Sequence, residues 1–393
     1  MKKICFVVQR YGLEVNGGAE LHCRQLAEHL RPFYDVTVLT TKAVDYISWA
    51  NAYEKDEEEI NGVRVLRFGV EYPREMEIFN EVNARFARGE IRTREEQEEW
   101  LDKQGPYVPS LLNYIREEKD AYNAFIFFTY LYYPTVKGIP LVREKAILIP
   151  TAHREPFLEM SMYRDVFCLP RGIFYNTREE RYLAEFVFEN ENIPNDIGGV
   201  GVQTPEYTDP SGFRAKYGLE QYLLYVGRID TAKGCEWLFR FFKRYKQRRP
   251  GSLKLVLMGK PVIPIPDDEN IISLGFVDEK DKFDGMAGAE ALVLPSEFES
   301  LSIVVLESMA VKRPVIVNGK CEVLAGHCIR SNGGLYYESY SEFERAVDFI
   351  LEHPETADIM GENGKRYVEK NYRWEQIVEG LCQLIEMKVS GQS

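Results

Sequence analysis

Two carboxylates stand eight residues apart where a sheet could present them to a ligand. Glu299 follows a short apolar run at residues 291–294, and Glu307 lies in an otherwise apolar segment with helical spacing. A carboxylate in an apolar helix is costly to bury unless it accepts hydrogen bonds, and a ribose diol would donate them. Glu307 therefore predicts a site for a ribose diol. A capping carboxylate and a chance surface glutamate would give the same pattern.

Two cations stand five residues apart in a second loop. Arg228 and Lys233 follow the apolar run 222–226 and Gly227, and a helical pattern begins directly after them. Two positive charges placed in this way suit a diphosphate, whose negative charge grows when its bond to a sugar breaks. The alternative is surface charge in a tight loop.

Two weaker signals lie in the first half of the chain. Gly17 and Gly18 separate the first apolar run from an amphipathic helix, and His153 follows the run 146–150. Glycines before a helix let an anion approach the backbone amides. The pattern is neither Gly-x-Gly-x-x-Gly nor a P-loop, which disfavours dinucleotide or ATP binding. A turn that needs glycine and a structural histidine explain these residues equally well.

Short apolar runs that alternate with helical patterns must position these residues. Such runs are typical of strands buried on both faces of a parallel sheet, and they predict two doubly wound α/β units. The runs are 4–8, 36–39, 63–68, 124–128, 146–150 and 172–175, then 222–226, 253–258, 271–274, 291–294 and 314–317. A Pro-, Gly- and Thr-rich linker lies near residues 202–212. We predict domains at 1–207, with inserted helices at about 71–120, and 208–373, followed by a C-terminal helix at 374–393.

Composition and net charge limit the classes of molecule that the protein could bind. The 393 residues carry a net charge of −13, which excludes nucleic acid as the main partner. No run approaches the roughly 20 apolar residues of a membrane span, and the opening residues favour a strand over a signal peptide. We therefore expect a cytoplasmic protein. The basic run at 243–249 is interpreted as the solvated end of a helix, with peripheral membrane contact as the alternative.

The cation loop and the paired glutamates together resemble the retaining family 4 glycosyltransferases of the GT-B fold. The early Gly-Gly loop, the segment Leu274-Gly275-Phe276-Val277 and the closing Trp-Glu helix extend the resemblance over nearly the whole chain. It implies two Rossmann-like domains that face each other across a cleft, the first on the acceptor side and the second binding the donor. It also implies that the C-terminal helix crosses back to the first domain.

The resemblance assigns roles in the second domain. Arg228 and Lys233 would hold the donor diphosphate, Glu299 the donor sugar and Glu307 the ribose. The neighbours that it places at the donor are Gly227, Phe276, Val277, Ser300, Leu301 and Ser302. Of these, Phe276 and Val277 would lie beside the nucleobase. The family often has Gly-Phe-Gly where this chain has Ser-Leu-Ser after Glu299, which leaves the donor sugar unassigned.

The resemblance also assigns roles in the first domain. Gly17 and Gly18 would approach the diphosphate or sugar, and His153 would contact the sugar near its 6-position. Together with Arg228, Lys233 and Glu299, His153 is expected to be catalytic.

These assignments predict transfer of a hexose, with retention, from a nucleotide sugar to a glycan or lipid-linked glycan acceptor in polysaccharide biosynthesis. Family frequency favours a UDP-sugar such as UDP-glucose. We expect no cofactor and no metal, since no convincing Asp-x-Asp site is present. The alternatives are a non-catalytic nucleotide-sugar-binding protein, or a nucleotide-sugar hydrolase or epimerase of the same fold.

Overall fold

All eleven apolar runs form β-strands, in two separate sheets. The computed structural model describes residues 1–15 and 17–387. It divides into an N-terminal unit, Met1–Val200 with the segment from Glu375 onward, and a C-terminal unit, Gly201–Trp374. The division precedes the predicted boundary after residue 207 because the Val202 amide donates to the Tyr372 carbonyl (2.8 Å), which joins the start of the linker to the far end of the second unit.

The N-terminal unit contains an eight-stranded sheet in the order β3-β4-β2-β1-β5-β6-β7-β8. Its strands are β1 (Lys3–Val7), β2 (Asp35–Thr41), β3 (Glu57–Ile60), β4 (Val63–Phe68), β5 (Ala124–Phe128), β6 (Ala146–Ile149), β7 (Gly172–Tyr175) and β8 (Asn195–Ile197). Only the edge strand β3 runs antiparallel to its neighbour among these strands. The central strands β1, β5 and β6 are buried along almost their full length, as their apolar composition requires.

Eight helices belong to the N-terminal unit as described. They are α1 (Gly18–Leu30), α2 (Met76–Ala87), α3 (Arg94–Gln104), α4 (Pro109–Glu118), α5 (Tyr133–Gly138), α6 (Tyr163–Cys168), α7 (Arg178–Phe188) and α15 (Trp374–Glu386), the last of which starts at the final residue of the other unit. Helix α15 packs on this unit: Leu384 lies against Gly172, and Arg171 donates to the Ile385 carbonyl.

The inserted helices α2 to α4 are more than a solvated surface. Trp100 and Leu101 of α3 are fully buried and join the main apolar core of the N-terminal unit. The glutamates of α3 remain on its outer face, and Thr93 caps the helix in a capping box with Glu96. The insertion is therefore an integral layer of this unit.

The C-terminal unit contains a six-stranded sheet in the order β11-β10-β9-β12-β13-β14, with all pairs parallel. Its strands are β9 (Tyr222–Val226), β10 (Lys254–Met258), β11 (Ile271–Gly275), β12 (Ala291–Leu294), β13 (Val315–Asn318) and β14 (Gly334–Tyr337). Its helices are α8 (Pro210–Tyr217), α9 (Cys235–Arg248), α10 (Glu279–Gly288), α11 (Ile303–Ala310), α12 (Glu322–Ser331), α13 (Tyr340–Glu352) and α14 (Pro354–Asn371).

Three strands are not among the predicted ones, and all three lie at sheet edges. β3 is Glu-Glu-Glu-Ile, β8 is Asn-Asp-Ile, and β14 begins with glycine. An edge strand is covered on fewer sides, so it carries charged and polar residues and lacks a long apolar run. Period and composition therefore reveal the buried strands and the edge strand β11, and they miss the other three edge strands.

The basic run at residues 243–249 lies at the end of α9 and just beyond it. Arg248 bonds to Glu344 at 2.7 Å, and Arg249 bonds to Asp348 at 3.1 Å, both on helix α13. Much of its charge is therefore compensated within the C-terminal unit. In the part of the chain that the structure describes, each helix is too short or too polar to cross a bilayer.

Candidate donor-binding site

Three glycines follow or end neighbouring strands at the carboxyl edge of the C-terminal sheet. Gly227 follows β9 with φ +146°, Gly259 follows β10 with φ +146°, and Gly275 ends β11 with φ +68°. These backbone conformations favour glycine. A Cβ on Gly259 would lie 1.9 Å from the Gly227 carbonyl oxygen. The glycines thus allow the strand ends to approach closely and leave bare backbone where open α/β sheets bind ligands.

Asp230 organises the loop that carries the two predicted cations. Its carboxylate accepts from Nε of Arg228 and, at 2.8 Å, from the backbone amide of Lys233. The Asp230 side chain is almost completely buried, whereas Arg228 is about one-third exposed. Asp230 is not among the predicted site residues. Its spacing, two residues beyond Arg228 in the same loop, is the signal that could have identified it.

Lys233 and Glu299 meet across adjacent strands. The Lys233 Nζ lies 2.6 Å from the Glu299 Oε1, although the two residues are 66 positions apart. They come together because β9 pairs with β12, so that the loops after both strands leave the same edge of the sheet. Lys233, which is predicted to bind the diphosphate, and Glu299, which is predicted to bind the sugar, therefore neutralise each other in this structure.

A buried histidine fixes the turn after Glu299. His327 Nε2 lies 2.8 Å from the Leu301 carbonyl oxygen, and its Nδ1 lies 3.1 Å from the Tyr367 hydroxyl. Leu301 is itself buried, so the turn is held at its middle residue. His327 was not predicted, since a histidine inside an amphipathic helix has no local signal. Its role here is to position the backbone beside Glu299.

Ser302 occupies the N-cap of α11 in the left-handed conformation, with φ +64°. Its hydroxyl is buried and has no hydrogen-bond partner among the described residues. The family glycine that Ser302 replaces would adopt this conformation without steric cost. Ser300 precedes it in the same turn and is partly exposed. The backbone amides of the first turn of α11 have no intrahelical acceptor, as at every helix start.

Glu307 projects from α11 and is paired with Lys282 of α10. The Lys282 Nζ lies 2.8 Å from the Glu307 Oε1. Burial raises the pKa of Glu307, and Lys282 opposes that rise. Lys282 is a further residue that was not predicted. The buried carboxylate thus has a compensating cation until hydroxyl donors reach it.

Phe276 and Val277 follow the left-handed Gly275 at the end of β11. The Phe276 ring is 79% exposed and Val277 is partly exposed. A large apolar ring in solvent at the carboxyl edge of the sheet is available to stack on a planar ligand. Its role beside a nucleobase stays a prediction of the resemblance.

In the N-terminal unit, Gly17 is required by packing. A Cβ on Gly17 would lie 2.1 Å from the Glu20 Oε2. Glu20 cannot move away easily, because it accepts from Arg10 at 2.6 and 2.9 Å and from Gln9 at 3.0 Å. A Cβ on Gly18 would meet nothing within 4 Å, so this position starts α1 with open space.

His153 lies in a loop held by a buried carboxyl. Glu180 accepts from the backbone amides of Ala152 and Asn176, each at 2.5 Å. Burial raises the pKa of Glu180 to about 8. His153 Nδ1 lies 3.8 Å from the Glu155 carboxylate, and the His153 side chain is 30% exposed. Thr151, just before this loop, has φ +51°, an outlier for a β-branched residue that Glu180 helps to hold.

Residues 1–15 and 17–387 contain no group of three or more His, Cys, Asp or Glu side chains that could hold a metal ion. Glu299 and Glu307 each pair with a lysine, and Asp230 pairs with Arg228.

Two doubly wound units with this arrangement define the GT-B fold. Sucrose-phosphate synthase from Thermosynechococcus elongatus has a similar structure, with a TM-score of 0.73, 19% identity and 98% of each chain covered. HepE from Anabaena, in complex with UDP and glucose, gives a TM-score of 0.71 at 14% identity, with 99% of this chain and 100% of that chain covered. At these identities the likeness establishes the fold.

A family model matches part of the C-terminal unit. Residues 220–353 match the model of the family described as glycosyl transferases group 1. An uncharacterised glycosyltransferase of Methanocaldococcus jannaschii is 26% identical over 196 residues, 46% of this chain and 50% of the relative. Alpha-D-kanosaminyltransferase of Streptomyces kanamyceticus is 30% identical over 167 residues, 38% and 42% of the two chains. The matches therefore span half or less of these curated relatives.

Proposed function

We propose that the protein is a retaining glycosyltransferase that takes a hexose from a nucleoside diphosphate sugar. The observation that carries the proposal is the 2.6 Å contact of Lys233 with Glu299, beside Arg228 at the carboxyl edge of the C-terminal sheet. A diphosphate would take over Lys233, and the released Glu299 would accept hydrogen bonds from hydroxyls of the sugar. One exchange of partners would thus create both halves of the donor site.

Stabilisation of the leaving group is the main chemical task of these cations. Negative charge grows on the diphosphate as the glycosidic bond breaks, and preorganised positive groups lower the barrier most effectively. Asp230 preorganises Arg228 and the Lys233 backbone, so little rearrangement is needed when charge develops. We propose that these groups do this work without a metal ion or other cofactor.

The proposed step is a front-face displacement. The bond between the anomeric carbon and the phosphate oxygen breaks, and its electron pair goes to the nucleoside diphosphate. The acceptor hydroxyl oxygen bonds to the same face of the anomeric carbon and passes its proton to the leaving phosphate oxygen. His153 is assigned to the sugar near its 6-position and Glu299 to other sugar hydroxyls; both orient the ring.

The donor and acceptor classes are also proposals. The structure of HepE in complex with UDP and glucose, together with family frequency, supports a UDP-hexose. The exposed Phe276 ring and the Lys282-paired Glu307 support a nucleoside at this edge, with the base on the ring and the ribose diol on the carboxylate. A glycan or lipid-linked glycan acceptor is favoured by the solved structure of WaaG, a glycosyltransferase involved in lipopolysaccharide biosynthesis.

A melting-temperature screen tests nucleotide binding. UDP, GDP, ADP, UDP-glucose and other nucleotide sugars are added to the protein with EDTA present, because a ligand that binds the folded state raises its melting temperature. We expect a shift with UDP and a larger shift with one UDP-sugar. If no nucleotide shifts the melting temperature, the proposal is refuted. If a nucleotide shifts it only when a divalent metal is added, the proposed metal-independence is refuted.

Glu299→Gln separates a transferase from a binding protein. The substitution removes the negative charge that holds Lys233, so UDP should bind as tightly as before or more tightly. Release of UDP from the UDP-sugar should fall by roughly 100-fold or more if Glu299 orients the reacting sugar. If Glu299→Gln releases UDP at the wild-type rate, Glu299 takes no part in the reaction. No release in the wild type with any glycan acceptor would favour the binding-protein alternative.

A further inference from the structure

The two chains that leave β9 and β10 stay side by side beyond the strands. β9 and β10 pair in parallel over their full length. Gly227 and Gly259 follow them with the same φ of +146°, so both chains bend alike. Pairing then resumes without a change of register, since the Ile229 amide donates to the Lys260 carbonyl at 3.0 Å. Lys260 is therefore the cross-strand neighbour of Arg228.

Arg228 and Lys260 lie on the same side of this pair of chains. Neighbouring strands are about 4.8 Å apart, and successive residues of each chain project to opposite faces. Ile229, the residue after Arg228, is fully buried. Arg228 and Lys260 therefore project away from the core, and the structure leaves Arg228 partly exposed and Lys260 exposed. Lys260 is not among the predicted donor-site residues.

Lys260 differs from the other cations of this edge because it has no anionic partner. In the described ranges 1–15 and 17–387, its side chain makes no hydrogen bond and no ion pair. The other cations are paired: Arg228 with Asp230, Lys233 with Glu299, and Lys282 with Glu307. An anionic ligand can therefore reach the Lys260 ammonium group without first displacing a carboxylate.

The order of the strands indicates which part of a donor Lys260 would meet. The sheet contains β11, β10, β9 and β12 as successive neighbours. In the proposed donor site the nucleobase lies on Phe276 after β11, the diphosphate at Arg228 after β9, and the sugar at Glu299 after β12. Lys260 follows β10 and so lies between the positions for the base and the diphosphate. In a nucleotide sugar, the α-phosphate is the anionic group nearest the nucleoside.

We propose that Lys260 binds the α-phosphate of the donor nucleoside diphosphate, an inference that rests on the proposed transferase function. Arg228 and Lys233 then serve the β-phosphate, from which the sugar departs. A lysine ammonium is a compact charge on a flexible stem and suits a phosphate oxygen without a fixed geometry. Lys260 is thus a binding residue for the nucleotide and touches none of the reacting atoms.

Calorimetric titration of the full-length protein with UDP, and with UMP in competition with UDP, tests the proposal. UMP has the α-phosphate and lacks the β-phosphate. If the melting-temperature screen favours GDP or ADP, that nucleotide and its monophosphate replace the uridine pair. Lys260→Ala should weaken the diphosphate and the monophosphate by a similar factor, roughly three- to ten-fold, because an exposed lysine loses conformational freedom when it binds.

Two further substitutions at the same position identify the interaction as one of charge. Lys260→Arg keeps the positive charge and should bind both nucleotides nearly as tightly as the wild type. Lys260→Gln should lose as much affinity as Lys260→Ala, since a neutral amide lacks the charge that strengthens a hydrogen bond to phosphate. All three variants should melt at the wild-type temperature without ligand, because the Lys260 side chain is exposed and has no partner among the described residues.

Lys370→Ala is the matched control. Lys370 lies in the last turn of α14, is also exposed, and makes no hydrogen bond or ion pair within the described part of the chain. Its removal should leave both affinities unchanged. If Lys370→Ala loses as much affinity as Lys260→Ala, the loss reflects general charge and the Lys260 contact is refuted.

The remaining outcomes separate this inference from the proposed function. If the wild type binds a nucleoside diphosphate and Lys260→Ala binds it as tightly, Lys260 has no role and the transferase proposal stands. A loss for the diphosphate alone would refute the α-phosphate assignment, and wild-type affinity in Lys260→Gln would refute a contact with phosphate. If the wild type binds no nucleotide, the transferase function itself is refuted.

Discussion

The carboxyl edges of the two sheets hold their charges in different ways. In the C-terminal unit, Lys233 is 33% exposed and bonds to Glu299, which keeps 14% of its side-chain surface exposed. In the N-terminal unit, Arg10 and Glu20 are each only 7% exposed, and Gln9 adds a further hydrogen bond to the carboxylate. Similar ion pairs thus lie near solvent in one unit and inside the protein in the other.

This difference in exposure separates ion pairs that can change partners from ion pairs that must stay intact. Because Lys233 reaches solvent, it can leave the carboxylate for a diphosphate at a smaller cost than a fully buried cation could. A buried arginine that loses its carboxylate keeps an uncompensated charge in a medium of low polarity. We infer that the C-terminal edge is built to rearrange around a ligand and that the Arg10 network is built to hold the loop before α1.

The largest expected effect is on the buried pair. Glu20→Ala should lower the free energy of unfolding by about 3–5 kcal/mol, because it leaves the Arg10 guanidinium buried and unpaired. Urea-induced unfolding followed by circular dichroism measures the change. Glu57→Ala, which breaks the exposed pair with Arg64, is the matched control and should leave stability nearly unchanged. Equal losses in the two variants would remove the distinction between the two kinds of pair.

The second prediction concerns the exchangeable pair. Lys233→Ala should weaken UDP binding roughly 10- to 100-fold, since a hydrogen bond to a charged group contributes about 1.5–3 kcal/mol. Isothermal titration calorimetry measures the dissociation constant. The control is Lys320→Ala, because Lys320 is an exposed lysine of the same unit, 3.5 Å from Glu297, and has no predicted role. If Lys233→Ala and Lys320→Ala bind UDP with the same dissociation constant, the diphosphate is held by general surface charge and not by the loop that carries Lys233.

The third prediction is a pH dependence of the N-terminal unit. The pKa of Glu180 is about 8 in the folded protein, above its ordinary value, so folding favours the protonated carboxyl. The resulting stabilisation is complete below pH 4 and is lost as the pH rises toward and past 8. The urea midpoint of the wild type should fall between pH 5.5 and 8.5.

Glu180→Gln is the matched variant for that measurement, because it keeps an acceptor for the Ala152 amide and removes the titration. Its urea midpoint should vary less with pH over the same interval. A slope identical to that of the wild type would mean that other groups cause the dependence. Glu307, whose pKa burial also raises, adds a contribution of the same sign in the C-terminal unit.

The smallest expected effect is at the turn after Glu299. Ser302→Gly should raise the melting temperature of the C-terminal unit by about 2–4 °C, because glycine adopts φ +64° without the cost of roughly 1 kcal/mol that a side chain brings. Ser300→Gly is the control, since its φ is not positive, and it should not stabilise. A stabilisation of equal size in both variants would show that backbone strain at Ser302 is not the cause.

Much of the fold follows from local pattern. The eleven apolar runs predicted eleven strands because strands buried on both faces are rich in apolar residues, and all eleven are present. The edge strands β3, β8 and β14 escaped prediction, because their environment does not demand apolar side chains. The fold class, two Rossmann-like units of the GT-B type, is confirmed by the solved structures of the same fold.

The sequence by itself determined which residue types stand at the strand ends: the cations Arg228 and Lys233, the carboxylates Glu299 and Glu307, and the glycines before α1. It could do so because strand, loop and helix follow each other at short range. Only the tertiary structure decided which of these groups meet. The pairing of Lys233 with Glu299 depends on β9 lying beside β12, and the pairing of Glu307 with Lys282 depends on α10 lying beside α11. Such contacts join residues far apart in the chain, and no local pattern records them.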